Sequence, residues 1–423
     1  MNKRKFYYLL GIAGSLFCYC YYAIYKLLGT HSPQTGIDFE RGCIAAGNFL
    51  SGRPLYDMPA GVDQYFYFPP VTLLYLPFTP LSPGNAKLAW FWLSQILVLL
   101  SLWLAYRLGR GKDPLRALFA VCATAASSTP LYAMLHNGNI NVVLFSGLAA
   151  LYTCLFYGRT KLAAWALALF AAIKIFPAIL LGVLVRARDK AALRHVLLAA
   201  ALLLGLSVSV FNIGPNLEYL RHLPSMNRYS GTLHVMSLTF PLKIFFPGLS
   251  VSALFFSHLL FLAGLLFWWW ETGRKSGTEP ASPGQLAADT FALTLIMILA
   301  MPPAWLMYGA LLIVPFYFVI LAMLGDIRRF KYPAVFLGAF IFINCWEFLY
   351  YHLPLPVVNL TARQLQFARE AHPLLHDIIF SGHFIATFAI LWWVMKNYRQ
   401  LEISFGDMAD FTRQKAACGA ARS

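Results

Sequence analysis

Charge is what this chain has least of. Only 12% of its 423 residues are Asp, Glu, Lys or Arg, about half the share of a soluble globular chain. Acids are scarcer than bases: 17 Asp and Glu stand against 33 Lys and Arg, a net charge of +16. So little charge excludes a water-soluble enzyme and a disordered chain. Cysteine is sparse and odd in number, at seven. Cys18, Cys20, Cys122, Cys154 and Cys345 lie in apolar stretches, Cys418 near the C-terminus and Cys43 in a long loop. No C-x-x-C pair occurs, so neither a disulfide framework nor a cysteine metal site can be read. Basic patches interleaved with aromatics are absent too, and no nucleic-acid partner is expected. What remains is apolar: 59% of the chain is hydrophobic and 16% aromatic. Runs of about 20 apolar residues, enough to cross a bilayer, recur from end to end. The expected class is an all-α polytopic membrane protein.

The few charges then set the topology. Lys3, Arg4 and Lys5 precede an apolar run with no small-residue cleavage site after it, which reads as an uncleaved first helix with a cytoplasmic N-terminus. Spans are expected at 6–28, 86–106, 114–134, 139–157, 193–212, 250–271, 287–301, 305–324, 332–350 and 379–396. Segment 161–186 has the length of one helix, but both its ends are basic. One helix would also leave Lys174 at mid-bilayer, at a cost of about 2.5 kcal/mol or more. A hairpin of two short helices, 161–172 and 174–186, keeps both basic ends inside and carries Lys174 to the outer surface. The total is about 12 helices (range 10–13), with both termini cytoplasmic by the positive-inside rule. Residues 1–396 then form one transmembrane domain, and 397–423 a basic cytoplasmic tail, mobile and close to anionic lipid heads. Most of the net charge is an orientation signal.

The outer side holds the unusual residues. Loop 29–85 is too long for a simple connection. It contains Asp38, Glu40, Asp57 and Asp63 and a helix-like piece at 38–51. The short apolar run 69–81, bounded by Pro69-Pro70 and Ser82-Pro83-Gly84, reads as interfacial or re-entrant. Later outer turns gather His136-Asn137-Gly138-Asn139-Ile140-Asn141, then Lys174 with Pro177, then His234, then Pro302-Pro303-Ala304-Trp305 with Tyr308, then Arg363 and Arg369.

These same residues carry a resemblance. Asp38-Phe-Glu40, Ala46-Gly47, Gly52-Arg53-Pro54-Leu55-Tyr56 and Phe68-Pro69-Pro70 resemble the first outer loop of glycosyltransferase family 87. Gly138-Asn139-Ile140-Asn141 is similar to that family's Gly-Gln-x-Asn turn, Lys174-Ile-Phe-Pro177 to its Lys-x-x-Pro, and Pro302-Pro303-Ala304-Trp305 to its Ser-Pro-x-Ser-Trp. The likeness runs in order from about residue 36 to 325. It implies a GT-C-type bundle and a polyprenyl-phosphate-sugar donor, as in the family's mannosyltransferases. The acceptor would be lipid-linked or a cell-envelope glycan, met on the outer face of the cytoplasmic membrane. Three places depart from the pattern. Asn139 stands for Gln, Met307 and Tyr308 stand where a His pair is common, and His234-Val-Met-Ser237 replaces an Asn-Gln-Ser-like element. All three are expected to touch sugar, so the donor or acceptor can differ.

An inverting transfer needs a carboxylate to take the acceptor proton and cations to balance the departing phosphate. The resemblance makes Asp38 the base; the competing reading is a helix cap. Glu40 is a second carboxylate that can position the acceptor, share a metal or simply be solvated. Lys174 is the first choice for the donor phosphate, because a Lys at that place is costly unless used; a snorkelling Lys at lipid heads is the alternative. Arg363 and Arg369 follow, as bidentate phosphate binders or as a solvated loop face. Asn139 and Asn141 can bond sugar hydroxyls or cap the helix that starts there. His136 and His234 can bond sugar or be ordinary surface histidines. Trp305 and Tyr308 can stack on it or belong to an interfacial belt. No cofactor and no metal site are expected, although a divalent ion is not excluded. Membrane lipids are the remaining partners. The rival classes are a multi-pass transporter, a lipid flippase and a non-catalytic scaffold. A transporter is disfavoured by the lack of an inverted repeat.

Overall fold

A computed structural model describes residues 3–28; 35–222 without 61, 63–64 and 112; 236–274 without 239–240, 243–244 and 247; 281–352 without 302–303 and 305; and 373–420. The described residues are helical and contain no strand. The helices are α1 (Lys3–Leu28), α2 (Ile37–Leu50), α3 (Pro83–Gly109), α4 (Pro114–Ala126), α5 (Thr129–His136), α6 (Asn141–Phe156), α7 (Thr160–Ile173), α8 (Gly182–Arg186), α9 (Lys190–Phe211) and α10 (Ile213–His222). Then follow α11 (Val251–Arg274), α12 (Pro283–Ala300), α13 (Ile313–Asp326), α14 (Pro333–His352), α15 (Pro373–Lys396) and α16 (Tyr398–Ala420). Among the described residues six helices are long and apolar enough to cross a membrane, or seven if the bent pair α4–α5 is one span. Shorter apolar helices stand at Asn141–Phe156, Thr160–Ile173, Phe176–Arg186, Pro333–Asn344 and Gly382–Lys396, where the sequence placed further spans. The chain is an all-α polytopic membrane protein.

The core is built on α12. Every residue from Gly284 to Leu299 is buried, although this was the shortest of the long apolar runs. Helices α1, α9 and α11 sit at the other extreme, with most of their apolar side chains on the outside, as lipid-facing helices require.

Three expectations need correction. The span 114–134 is broken: α4 and α5 meet at a bend of 56°. Pro130 cannot donate within a helix, and Ser128 starts α5 by accepting the backbone N–H of Leu131 through its side chain. The stretch expected as a connection between the spans 193–212 and 250–271 begins with a helix, α10. Ile213, Leu217 and Leu220 are exposed on one side of it, and Asn216 and Tyr219 are buried on the other. The C-terminal tail is not a mobile strand of charge. It is α16, whose Tyr398, Leu401, Phe405 and Ala409 are buried. It crosses α12 where Gly284 leaves no room for a side chain beside Glu402 and Gly406.

Segment 161–186 does break at Lys174, whose backbone is extended (φ −145°, ψ 137°) between α7 and the 3₁₀ turn Phe176–Leu181. The expected position of its side chain at an outer surface is not found. Lys174 is buried.

Candidate active site

Residues 35–38 are zipped to the turn between α5 and α6. The Gly36 N–H donates to the His136 carbonyl (2.8 Å) and the Asp38 N–H to the Asn137 carbonyl (2.9 Å). The approach is close because both sides use glycine in the left-handed region, Gly36 at φ +75° and Gly138 at φ +61°. A Cβ on Gly138 would stand 2.9 Å from Phe39 Cβ. Trp90 of α3 seals the joint, donating from Nε1 to the Gly138 carbonyl (3.0 Å) and stacking on Phe39 at 5.2 Å. Both rings are buried.

This joint brings Asp38 onto Asn139. The Asn139 side-chain amide donates to Asp38 Oδ2 at 2.5 Å, and Arg41 Nη1 holds Asp38 Oδ1 at 2.9 Å. Asp38 is therefore not a helix cap. Gly36 occupies the cap position, and no side chain caps α2. The carboxylate is buried, with its two oxygens held separately.

The contacts continue inward. Asn139 Oδ1 accepts the backbone N–H of Asn141 (2.9 Å), so this one side chain both starts α6 and reaches Asp38. Asn141 Oδ1 accepts from Lys174 Nζ at 2.8 Å, and Lys174 donates again to the Tyr308 hydroxyl at 2.7 Å. An ammonium has three N–H groups, so one is left over. The Lys174 Nζ also lies 4.5 Å from the ring centroid of Tyr308 and 5.3 Å from that of Tyr67. Burial, reinforced by the Asp38 charge, pushes the Tyr67 phenol well above its ordinary value, so it stays protonated. The Asn141 amide nitrogen is buried without a hydrogen-bond partner. An unmet buried donor costs about 1–3 kcal/mol, and in a site it points to a ligand oxygen.

Five sequence candidates, Asp38, Asn139, Asn141, Lys174 and Tyr308, are thus joined in one chain of contacts. Glu40 is not among them. It lies two residues past Asp38, about 200° around the helix, where its half-exposed side chain pairs with Lys87 at 3.1 Å. His136 contributes its carbonyl to the joint, and its ring is half-buried. His234, Trp305, Arg363 and Arg369 lie outside the described residues. Arg41 was missed, although its i,i+3 spacing from Asp38 was a readable signal. Tyr65 and Tyr67 are buried in the loop packing and do not face lipid. Among the described residues no three His, Cys, Asp or Glu side chains gather as a metal-holding group.

The family model "Glycosyltransferase family 87" matches residues 65–302. No curated protein matches. Two solved structures of ArnT from Cupriavidus metallidurans are similar at 16% identity. The one bound to undecaprenyl phosphate covers 98% of this chain and 79% of its own, with a TM-score of 0.45. The apo one covers 97% and 79%, with a TM-score of 0.39.

Proposed function

The chain belongs to glycosyltransferase family 87, and on that premise we propose that it moves a hexose, mannose first, from a polyprenyl-phosphate-sugar donor to a lipid-linked or cell-envelope glycan acceptor. The transfer inverts the anomeric centre and takes place on the outer face of the cytoplasmic membrane. Asp38 takes the acceptor proton, and Lys174 holds the donor phosphate. Asn141 and Tyr308 meet the sugar, and His136, His234 and Trp305 are further candidates for that role; Arg363 and Arg369 assist at the phosphate. Asn139 is reassigned from sugar contact to orienting Asp38. No metal ion enters the proposal, because the basic side chains supply the positive charge.

One observation carries this reading. The buried carboxylate and the buried ammonium are joined through Asn139 and Asn141. A base and a phosphate binder must act on two ends of the same small group, and fixing both ahead of time is where such a site gains rate. Burying the two charges without such a use costs stability.

The test is transfer of radiolabelled sugar from synthetic polyprenyl-phosphate hexoses to membrane acceptors by the purified protein, wild type beside Asp38→Asn. Transfer by wild type and its loss in the variant are expected. Equal transfer by both removes Asp38 as base. No transfer with any donor returns the question to the transporter and flippase readings.

A further inference from the structure

Arg41 has no place in the reading above, yet it holds the residue at its centre. It lies one turn along α2 from Asp38, with a side chain only 15% exposed, and pairs at 2.9 Å with a carboxylate that is 11% exposed. A buried ion pair is a poor way to gain stability, since desolvation of both partners offsets their attraction. Holding a base against a fixed cation would also oppose its work, unless the cation has somewhere to go.

The charge balance of the transfer supplies the destination. At rest Asp38 and the donor phosphodiester each carry one negative charge, and Arg41 and Lys174 each carry one positive charge. The acceptor oxygen then attacks the anomeric carbon, and its proton goes to Asp38, which becomes neutral. The bond between that carbon and the phosphate oxygen breaks, and its electron pair stays on the phosphate. The phosphodiester monoanion has become a phosphomonoester dianion. One negative charge has moved from Asp38 to the leaving group, while both cations remain.

We infer that Arg41 is the second cation for the leaving phosphate, held on Asp38 until the proton arrives there and released to the phosphate as the bond breaks. The inference rests on the donor reading above. Lys174 meets the phosphate already in the bound donor. Arg41 is neutralised by Asp38 in that state and comes free only as the charge moves. An interaction realised only late in the reaction raises kcat without tightening the bound donor.

The measurement is binding of two lipids at pH 8 by Asp38→Asn, whose neutral side chain stands in for the protonated carboxyl, alone and combined with Arg41→Gln or Arg41→Lys: polyprenyl phosphate, a dianion there, and polyprenyl-phosphate mannose, a monoanion. In that background Arg41→Gln should weaken polyprenyl phosphate about tenfold more than the donor, with Arg41→Lys in between. In turnover, Arg41→Gln alone should lower kcat by about 10²-fold at a nearly constant donor KM. A role confined to packing would shift both affinities together, or neither. Should the Gln variant fold poorly, the Lys variant carries the comparison, since it keeps the charge but not the fork. Binding of both lipids by Asp38→Asn with the same ratio in the combined variants overturns the role of Arg41 alone. Failure of Asp38→Asn to bind either lipid overturns the donor reading, and this inference with it.

Discussion

Asn139 donates to Asp38 Oδ2 at 2.5 Å across 101 positions of sequence, while its own carbonyl oxygen takes the first backbone N–H of α6. The second bond fixes the amide, so its NH₂ must face the carboxylate. Asn139→Asp would set two carboxylates against each other and remove the donor. Asn139→Leu would leave one Asp38 oxygen without its partner. Both variants should lose about 10²-fold or more in kcat, by analogy with losing one preorganised donor. Donor KM should stay within about threefold, because Asn139 faces Asp38, the proposed base. A large rise in donor KM with kcat intact would return Asn139 to sugar binding.

Lys174 tests the opposite balance of function and stability. Its amino group is buried among neutral partners, Asn141 and Tyr308, and among the described residues no carboxylate pairs with it directly. A charge buried without a counterion carries a desolvation cost that an apolar group of similar shape does not. Lys174→Met should therefore keep or raise the thermal midpoint and lose binding of polyprenyl phosphate by tenfold or more. A variant that unfolds early with lipid affinity intact would make Lys174 a structural residue.

Gly138 tests the joint that carries Asp38. At φ +61°, with Phe39 Cβ 2.9 Å from any added Cβ, it has no room for a side chain. Gly138→Ala strains the turn and pushes α2 away from it. A cost of about 1–3 kcal/mol in stability is expected, with a kcat loss similar to that of Asn139→Leu. Gly14→Ala is the matched control. Nothing stands within 4 Å of that position, so thermal unfolding and activity should both be unchanged there.

The candidate site was legible because polar residues in so apolar a chain stand out by their cost. Lys174 was found that way, and Asp38, Asn139, Asn141 and Tyr308 by their place on the outer side together with the family resemblance. What joins them was hidden: a joint of backbone hydrogen bonds, two left-handed glycines and a buried Trp90 leaves no side-chain pattern. Arg41 went unnoticed, because its i,i+3 spacing from Asp38 is the same for a buried pair and a solvated one. The break at Ser127–Ser128 was lost inside a window that is apolar on average. Helix α16 was lost for the opposite reason. Leu401, Phe405 and Ala409 recur every four residues, a helical stripe, but Glu402 and Asp407 between them and Asp410, Arg413 and Lys415 after them lower the average.

That stripe ends in a second buried ion pair, which the sequence also concealed. Asp289 of α12 is fully buried, and its Oδ1 accepts from Trp269 Nε1 of α11 (2.6 Å) and from the Tyr398 hydroxyl of α16 (2.5 Å). Arg186 Nε of α8 lies 3.5 Å from Oδ2, and its guanidinium stands 3.8 Å from the Trp269 ring centroid. One carboxylate thus ties three helices to α12, the centre of the core. Asp289→Ala leaves Arg186 charged and buried, a loss of about 3–5 kcal/mol. Asp289→Asn keeps an acceptor for Trp269 and Tyr398 and should cost less. Pairing Asp289→Leu with Arg186→Leu removes both charges and should recover much of the loss, since the unpaired partner is what costs most. Truncation after residue 397 removes Tyr398 and the stripe together and should destabilise more than Tyr398→Phe. Thermal unfolding in detergent orders the five variants. Equal midpoints for Asp289→Ala and Asp289→Asn would mean that the buried charge, and not its geometry, sets the cost.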